Sequence, residues 1–289
     1  MKLKEVFLRE KPTLSFEVFP PKQDTEYQSV KGAVDAIAAL SPDFMSVTYG
    51  AGGGTSALTA QLAENIDRRG VTPLAHLTCV SSSREEVQGQ LALLREHGVE
   101  NILALRGDLP EGQSLDDALH YRYAAQLVEE IREFGGFSIG AACYPEGHVD
   151  APSQGEDLLR LKEKVDCGCD FLVTQMFFDN AALYSFLYRA ERSGIHVPVV
   201  AGVMPVTNAR QIARICTLSG TTLPNRFRMI LDKFGRDPEA MRQAGIAYAT
   251  EQIVDLIANG VRGVHVYTMN KPEIAAQISA NLSSILGHP

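Results

Sequence analysis

The segment Ser15-Phe16-Glu17-Val18-Phe19-Pro20-Pro21-Lys22 sets one carboxylate inside an apolar run. An ionised carboxylate is costly to bury, so Glu17 is expected to have either a raised pKa or a partner. A raised pKa suits a general acid near neutral pH, a role worth about 10²–10⁴ in rate. A Glu salt-bridged inside the fold is the competing reading. Arg106-Gly107-Asp108 follows another apolar run. Its Arg can meet a phosphate or carbonyl and its Asp can hold a developing positive charge, unless the two simply pair. Gln175, in Thr174-Gln175-Met176-Phe177-Phe178-Asp179, offers donor and acceptor for a heterocycle edge, on which Phe177 and Phe178 can stack. Tyr144-Pro145-Glu146-Gly147-His148 adds an aromatic and a titratable group on one loop. His76 is a hydrogen-bonded core histidine or a ligand. The seven histidines show no metal spacing, and no Ser or Cys stands ready beside a His as nucleophile, so no metal site is expected. Together these residues describe a site for a flat polar heterocycle.

Such residues need elements to carry them. Short β-branched apolar runs read as strands at 14–19, 44–49, 73–80, 102–106, 137–144, 171–177, 197–204 and 264–269, with helix-spaced apolar residues between them. The starts lie roughly 26–35 residues apart, one βα unit each, until a last gap with room for extra helices around 227–234 and 246–257. Eight such units predict a closed (β/α)₈ TIM barrel, α/β in class, with extra helices before the last strand. An open doubly wound sheet would carry a Gly-rich fingerprint in its first turn, where Phe19-Pro20-Pro21-Lys22 has no glycine. The glycines after the second strand, 50–54, lack the Lys of a Walker A loop. No linker or charge block divides the chain, so residues 1–289 read as a single catalytic domain. In a barrel, chemistry belongs to the loops after the strands, where the residues above fall.

The 289 residues hold 27 basic and 35 acidic side chains, a formal charge of −8, which disfavours nucleic acid and anionic membranes as partners. No apolar run approaches the roughly 18–20 residues of a membrane span, and Met1-Lys2-Leu3-Lys4-Glu5 does not open a secretory signal. A cytoplasmic protein is expected. Its five cysteines, with one Cys-x-Cys pair at 167 and 169, read as reduced structural thiols.

Seven segments in order resemble the 5,10-methylenetetrahydrofolate reductases, bacterial type and catalytic region only. They are 15–22, Val-Thr-Tyr-Gly-Ala-Gly-Gly at 47–53, His-Leu-Thr-Cys at 76–79, Leu-Arg-Gly-Asp at 105–108, Tyr-Pro-Glu at 144–146, 174–179 and Gly-Val-Met-Pro-Val at 202–206. The resemblance implies a barrel that holds FAD without a Rossmann domain, a homo-oligomer, and a role feeding methionine synthesis. It implies ping-pong chemistry, in which NADH or NADPH reduces FAD and leaves before methylenetetrahydrofolate takes the hydride. By position, Glu17 would protonate folate N10 and Asp108 would stabilise the resulting iminium and lower the flavin potential. Gln175 would contact folate and nicotinamide in turn, with Gln211 and Lys271 on folate. Thr48, Tyr49, His76, Arg106, Gly107, Asp108, Ala124, Tyr144, His148, Asp157, Arg160 and Lys164 would contact FAD.

Some positions depart from the family pattern. Arg160 and Glu163 stand where an amide and a base are expected, which would shift diphosphate contacts onto Arg160 or Lys164. Lys271 replaces an Arg and loses its bidentate fork. Ile215 replaces a stacking Phe, and an insertion at 115–123 bears on the adenine end. A flavin-free pterin-binding methyltransferase half and a non-catalytic FAD- or folate-binding subunit are the alternative readings.

Overall fold

The computed structural model describes residues 1–21, 26–49, 56–109, 112, 114 and 118–287. Lys22 and the glycine-rich stretch 50–55 therefore lie outside the described residues, as do residues 115–117 of the insertion. After the short helix α1 (Leu3–Val6), eight parallel strands close into one barrel in chain order. They are β1 (Thr13–Val18), β2 (Phe44–Val47), β3 (Thr72–Thr78), β4 (Asn101–Leu105), β5 (Ser138–Cys143), β6 (Phe171–Thr174), β7 (Val199–Val203) and β8 (Gly263–Tyr267). Between successive strands run α2 (Tyr27–Ala38), α3 (Ser56–Arg68), α4 (Arg84–Glu96), α5 (Ala124–Phe134), α6 (Gln154–Asp166), α7 (Asn180–Arg192) and α8 (Ala209–Ser219). The expected extra helices are α9 (Asn225–Phe234) and α10 (Pro238–Ala258), both before β8, and α11 (Pro272–Leu286) follows it. The expected TIM barrel is the observed fold.

The strands are continuous apolar runs because both faces are covered, by helices outside and by barrel packing inside. All eight end one to three residues before their apolar runs do, and at two of them hydrogen bonds show why. β3 stops at Thr78, since the N–H groups of Cys79 and Val80 both donate to the Arg106 carbonyl, at 3.1 and 2.9 Å. β6 stops at Thr174, where Gln175 donates to Cys143 O at 2.7 Å and then accepts the Met176 N–H on its own side chain at 2.9 Å. Helix starts are capped locally: Ser83 and Glu86 form a capping box on α4, and Ser153 and Asp179 cap α6 and α7.

The barrel interior is layered. At the floor, Leu3 and Val6 of α1 pack with Phe44, Leu74, Leu103, Phe171, Val173 and Val200. Above that apolar plug lie the buried polar residues Ser15, Ser46 and His265. Register brings them together: Ser15 stands opposite His265, and Glu17 opposite Ser46. The extra helices build a separate apolar cluster around Met176, Phe178, Val206, Phe227 and Met241. A Cβ on Gly245 would lie 1.9 Å from Val206 O, so α10 rests on the loop after β7 only through bare backbone.

Candidate active site

Glu17 sits near the mouth of the barrel, its side chain about 20% exposed. Its Oε2 lies 3.6 Å from His76 Nε2 and 3.9 Å from His265 Nε2. Two serines bracket the His265 ring, Ser15 Oγ at 2.8 Å from Nδ1 and Ser46 Oγ at 3.0 Å from Nε2. Ser15 also donates to Val264 O at 3.0 Å, which leaves its oxygen lone pairs facing the ring. The flat face of His265 stacks on Phe44, with centroids 5.5 Å apart and planes 7° apart.

The expected raised pKa of Glu17 is not what this arrangement produces. Burial pushes the carboxyl up, but hydrogen bonding by His265, the positive charge of His76 and His265, and the Ser46 hydroxyl together hold it below the ordinary Glu value. Burial in turn depresses His76 to about 4, so that ring is neutral at pH 7. The other half of the expectation, a partner, is met several times over. The backbone is fixed as well. Thr268 Oγ1 donates to Glu17 O at 2.8 Å, and the Asn270 amide bonds both the N–H and the C=O of Phe19 at 2.9 Å.

A cavity of about 1350 Å³ opens beside this cluster over the ends of β2 to β5. Thr48, Tyr49 and His76 line it from β2 and β3, and Arg106, Gly107 and Asp108 from the β4 end. Ala124 opens α5 there, and Tyr144, His148, Asp157, Arg160 and Lys164 complete the wall from β5 and α6. Every residue expected to contact a cofactor thus faces one space. His76 Nε2 is buried and finds no hydrogen-bond partner among the described residues. Gly107 has φ +85°, and a Cβ there would come within 2.9 Å of Thr78 Cβ, so the chain can pass the wall only as glycine.

The charged groups of the wall are engaged. Arg106 does not pair with Asp108 but donates to Asp150 Oδ2 at 3.0 Å. Lys164 Nζ donates to Ala142 O at 2.6 Å, and burial lowers its pKa. Tyr144 packs edge-on to His148 at 4.6 Å, with burial pushing its hydroxyl up to about 12. Burial and the Arg106 charge depress His148, whereas burial raises Asp157.

The remaining predicted residues stand apart from this cavity. Gln175 lies at the β6 end with its Oε1 already occupied, while no acceptor among the described residues takes its Nε2. Gln211 is exposed on α8, and Lys271 reaches Thr207 Oγ1 at 3.3 Å. Phe177 and Phe178 do not offer stacking faces: Phe177 is fully buried, and Phe178 stacks on Phe227 at 5.3 Å in the cluster that also takes Ile215. Sequence reasoning missed Ser15, Ser46 and His265. Their one signal was polar residues at alternating positions in apolar strands, which means little before the register is known.

Comparison with known proteins places this geometry. A family profile described as methylenetetrahydrofolate reductase matches residues 2–283. The chain belongs to that family. The 5,10-methylenetetrahydrofolate reductase of Pectobacterium carotovorum subsp. carotovorum is 36% identical over 270 residues, covering 93% of this chain and 89% of the relative. The Escherichia coli reductase is 34% identical, covering 93% and 90%. A maize family member named as NADH-dependent is 36% identical but is covered over only 48% of its length. The chain thus spans about nine-tenths of its bacterial relatives and about half of the plant one. A Clostridium thermocellum protein described as binding two copies of 5-methyl-5,6,7,8-tetrahydrofolic acid shares the fold, with TM-score 0.67 and 15% identity over 99% of both chains. No helix among the described residues is long and apolar enough to cross a membrane, and no cluster of three potential metal ligands occurs among them.

Proposed function

We propose that this methylenetetrahydrofolate reductase family member reduces 5,10-methylenetetrahydrofolate to 5-methyltetrahydrofolate with FAD and NADH or NADPH, in ping-pong order, in the cytoplasm and in support of methionine synthesis. The observation that carries the reading is the single cavity, joined to Glu17 through His76, that all the expected cofactor residues face. At about 1350 Å³ it exceeds the roughly 300–1,000 Å³ of ordinary small-ligand pockets, as a dinucleotide requires. The orphaned His76 Nε2 and the close backbone approach at Gly107 fit FAD, and Arg106, Arg160 and Lys164 supply cations for its diphosphate.

When bound, FAD supplies a two-electron carrier that takes hydride from the nicotinamide and gives it to folate. The rest is work for the chain's own residues. Arg106, Arg160 and Lys164 would hold the FAD diphosphate, and Thr48, Tyr49, His76 and Tyr144 would contact the rest of it. Glu17 is ionised in the open mouth, and a ligand that covers its remaining exposure lets burial prevail and raises its pKa toward that of a proton donor to folate N10. Asp108, exposed at the rim, opposes the positive charge that protonation creates. Gln175 keeps its Nε2 for folate and nicotinamide in turn, and Gln211 and Lys271 lie on the substrate side. The test is the visible spectrum of the purified protein, followed by anaerobic reduction with each nucleotide. Flavin bands bleached by NADH or NADPH and restored by methylenetetrahydrofolate are expected. A colourless protein that retains no added FAD overturns the reading, and folate binding without nucleotide oxidation favours the flavin-free alternative.

A further inference from the structure

The wall of the large cavity carries six carboxylates, Glu86, Asp108, Asp150, Glu156, Asp157 and Glu163, against three cationic side chains, Arg106, Arg160 and Lys164. That is an acidic surround for a dianionic cofactor. Two of the three cations are, moreover, already spoken for. Arg160 lies on α6 between two acids of the same helix: its Nη2 is 3.0 Å from Glu156 Oε1, and its Nη1 donates to both Glu163 oxygens at 3.2 and 3.0 Å. Arg106 reaches across from the β4 end to Asp150 on the β5–α6 loop. Lys164 alone has a neutral acceptor, the Ala142 carbonyl.

We infer that Glu163, Glu156 and Asp150 are internal counter-ions that compete with the cofactor diphosphate for Arg160 and Arg106 and so set FAD affinity low enough for exchange. The inference rests on the FAD reading above. For Arg160 to point its fork at a phosphate, it must leave or share two carboxylates, which then lie beside the incoming charge. The pairs are solvent-exposed, with the Glu163 side chain 59% and that of Asp150 61% accessible, so each is weak by itself and readily exchanged. The larger effect is the repulsion that remains once a dianion shares the cation with them. The acid at position 163 thus has a function of its own, opposite in sign to that of a base.

Fluorescence titration of the flavin-stripped full chain with FAD, and separately with riboflavin, tests this. Riboflavin has the same ring and no phosphate. Glu163→Gln and Asp150→Asn are each expected to tighten FAD by about 3–10-fold, and to act together in the double variant, with riboflavin affinity unchanged. Glu191→Gln, which removes an exposed partner of His196 elsewhere on the surface, is the control and should change neither. FAD affinity that stays constant or weakens in both variants overturns the inference, as does riboflavin tightening in parallel with FAD. Wild-type protein that binds no FAD at all overturns the flavin reading itself, a result distinguishable from either.

Discussion

The floor and the mouth of the barrel are made by the same eight strands, yet they are built on opposite rules. At the floor the packing is mainly apolar, and α1 stoppers the end with Leu3 and Val6, its Leu3 N–H donating to the buried Asn101 side chain at 2.7 Å. A few residues further along, Ser15, Ser46, His265, Glu17 and His76 gather polar groups that burial makes expensive, among them a His76 Nε2 with no hydrogen-bond partner among the described residues. Phe44 marks the boundary, part of the plug below and stacked on His265. The difference teaches where each property of the molecule resides. The floor contributes stability and asks nothing of a ligand. The mouth holds polar groups in an arrangement that a ligand can complete.

If that division is right, damage at the two levels should read out differently. Phe171→Ala, at a fully buried floor position, is expected to cost about 3–5 kcal/mol in urea unfolding while FAD affinity in the folded protein is unchanged. Loss of FAD binding by the folded variant would join the two regions after all. At the mouth, His76 is neutral in the fold down to about pH 4, whereas in the unfolded chain it takes up a proton below about 6.5. Its contribution to stability is therefore complete above pH 6.5 and is lost as pH falls toward 4. His76→Gln should remove about 3 kcal/mol of that decline, measured by denaturant titrations of the flavin-free protein across this window. Glu17, with its depressed pKa, contributes stability that is complete above the ordinary carboxylate value and is lost as pH falls from there through its lower folded value.

Ser46→Ala takes one hydroxyl from the set that holds Glu17 down. It should move the pH limb of the folate half-reaction that reports Glu17 upward, with the nucleotide half-reaction unmoved. An unshifted limb would mean that Ser46 supports only the His265 ring. The smallest expected effect is that of Asp108→Asn. An exposed charge is worth about 0.2–1 kcal/mol, so spectroelectrochemistry should find the flavin potential raised by roughly 5–20 mV. An unchanged potential removes the electrostatic role of Asp108.

Much of the floor was legible in the sequence, because continuous apolar strands at regular spacing admit few architectures. The mouth was legible only in part. Glu17, Arg106, Asp108 and Gln175 announce themselves as polar residues at strand ends. Ser46 and His265 do not, because a serine or a histidine within a strand acquires meaning only when the register sets it against Glu17, more than two hundred residues away from His265 in the chain. Which of the two alternatives Glu17 takes, a raised pKa or a partner, was illegible for the same reason: burial was foreseeable from the apolar run, and the groups that outweigh it were not. Phe177 and Phe178 misled in the opposite direction, since their neighbours Gln252 and Phe227 come from the extra helices, whose packing no local pattern reveals.

The central claim is that Glu17 acts on folate and the cavity on the cofactor. Anaerobic stopped-flow of Glu17→Gln tests it most directly. The account predicts flavin reduction by NADH or NADPH at close to the wild-type rate, and reoxidation by methylenetetrahydrofolate slowed by at least about 10²-fold. Equal losses in both half-reactions would contradict it and leave Glu17 as one more buried group holding the barrel together.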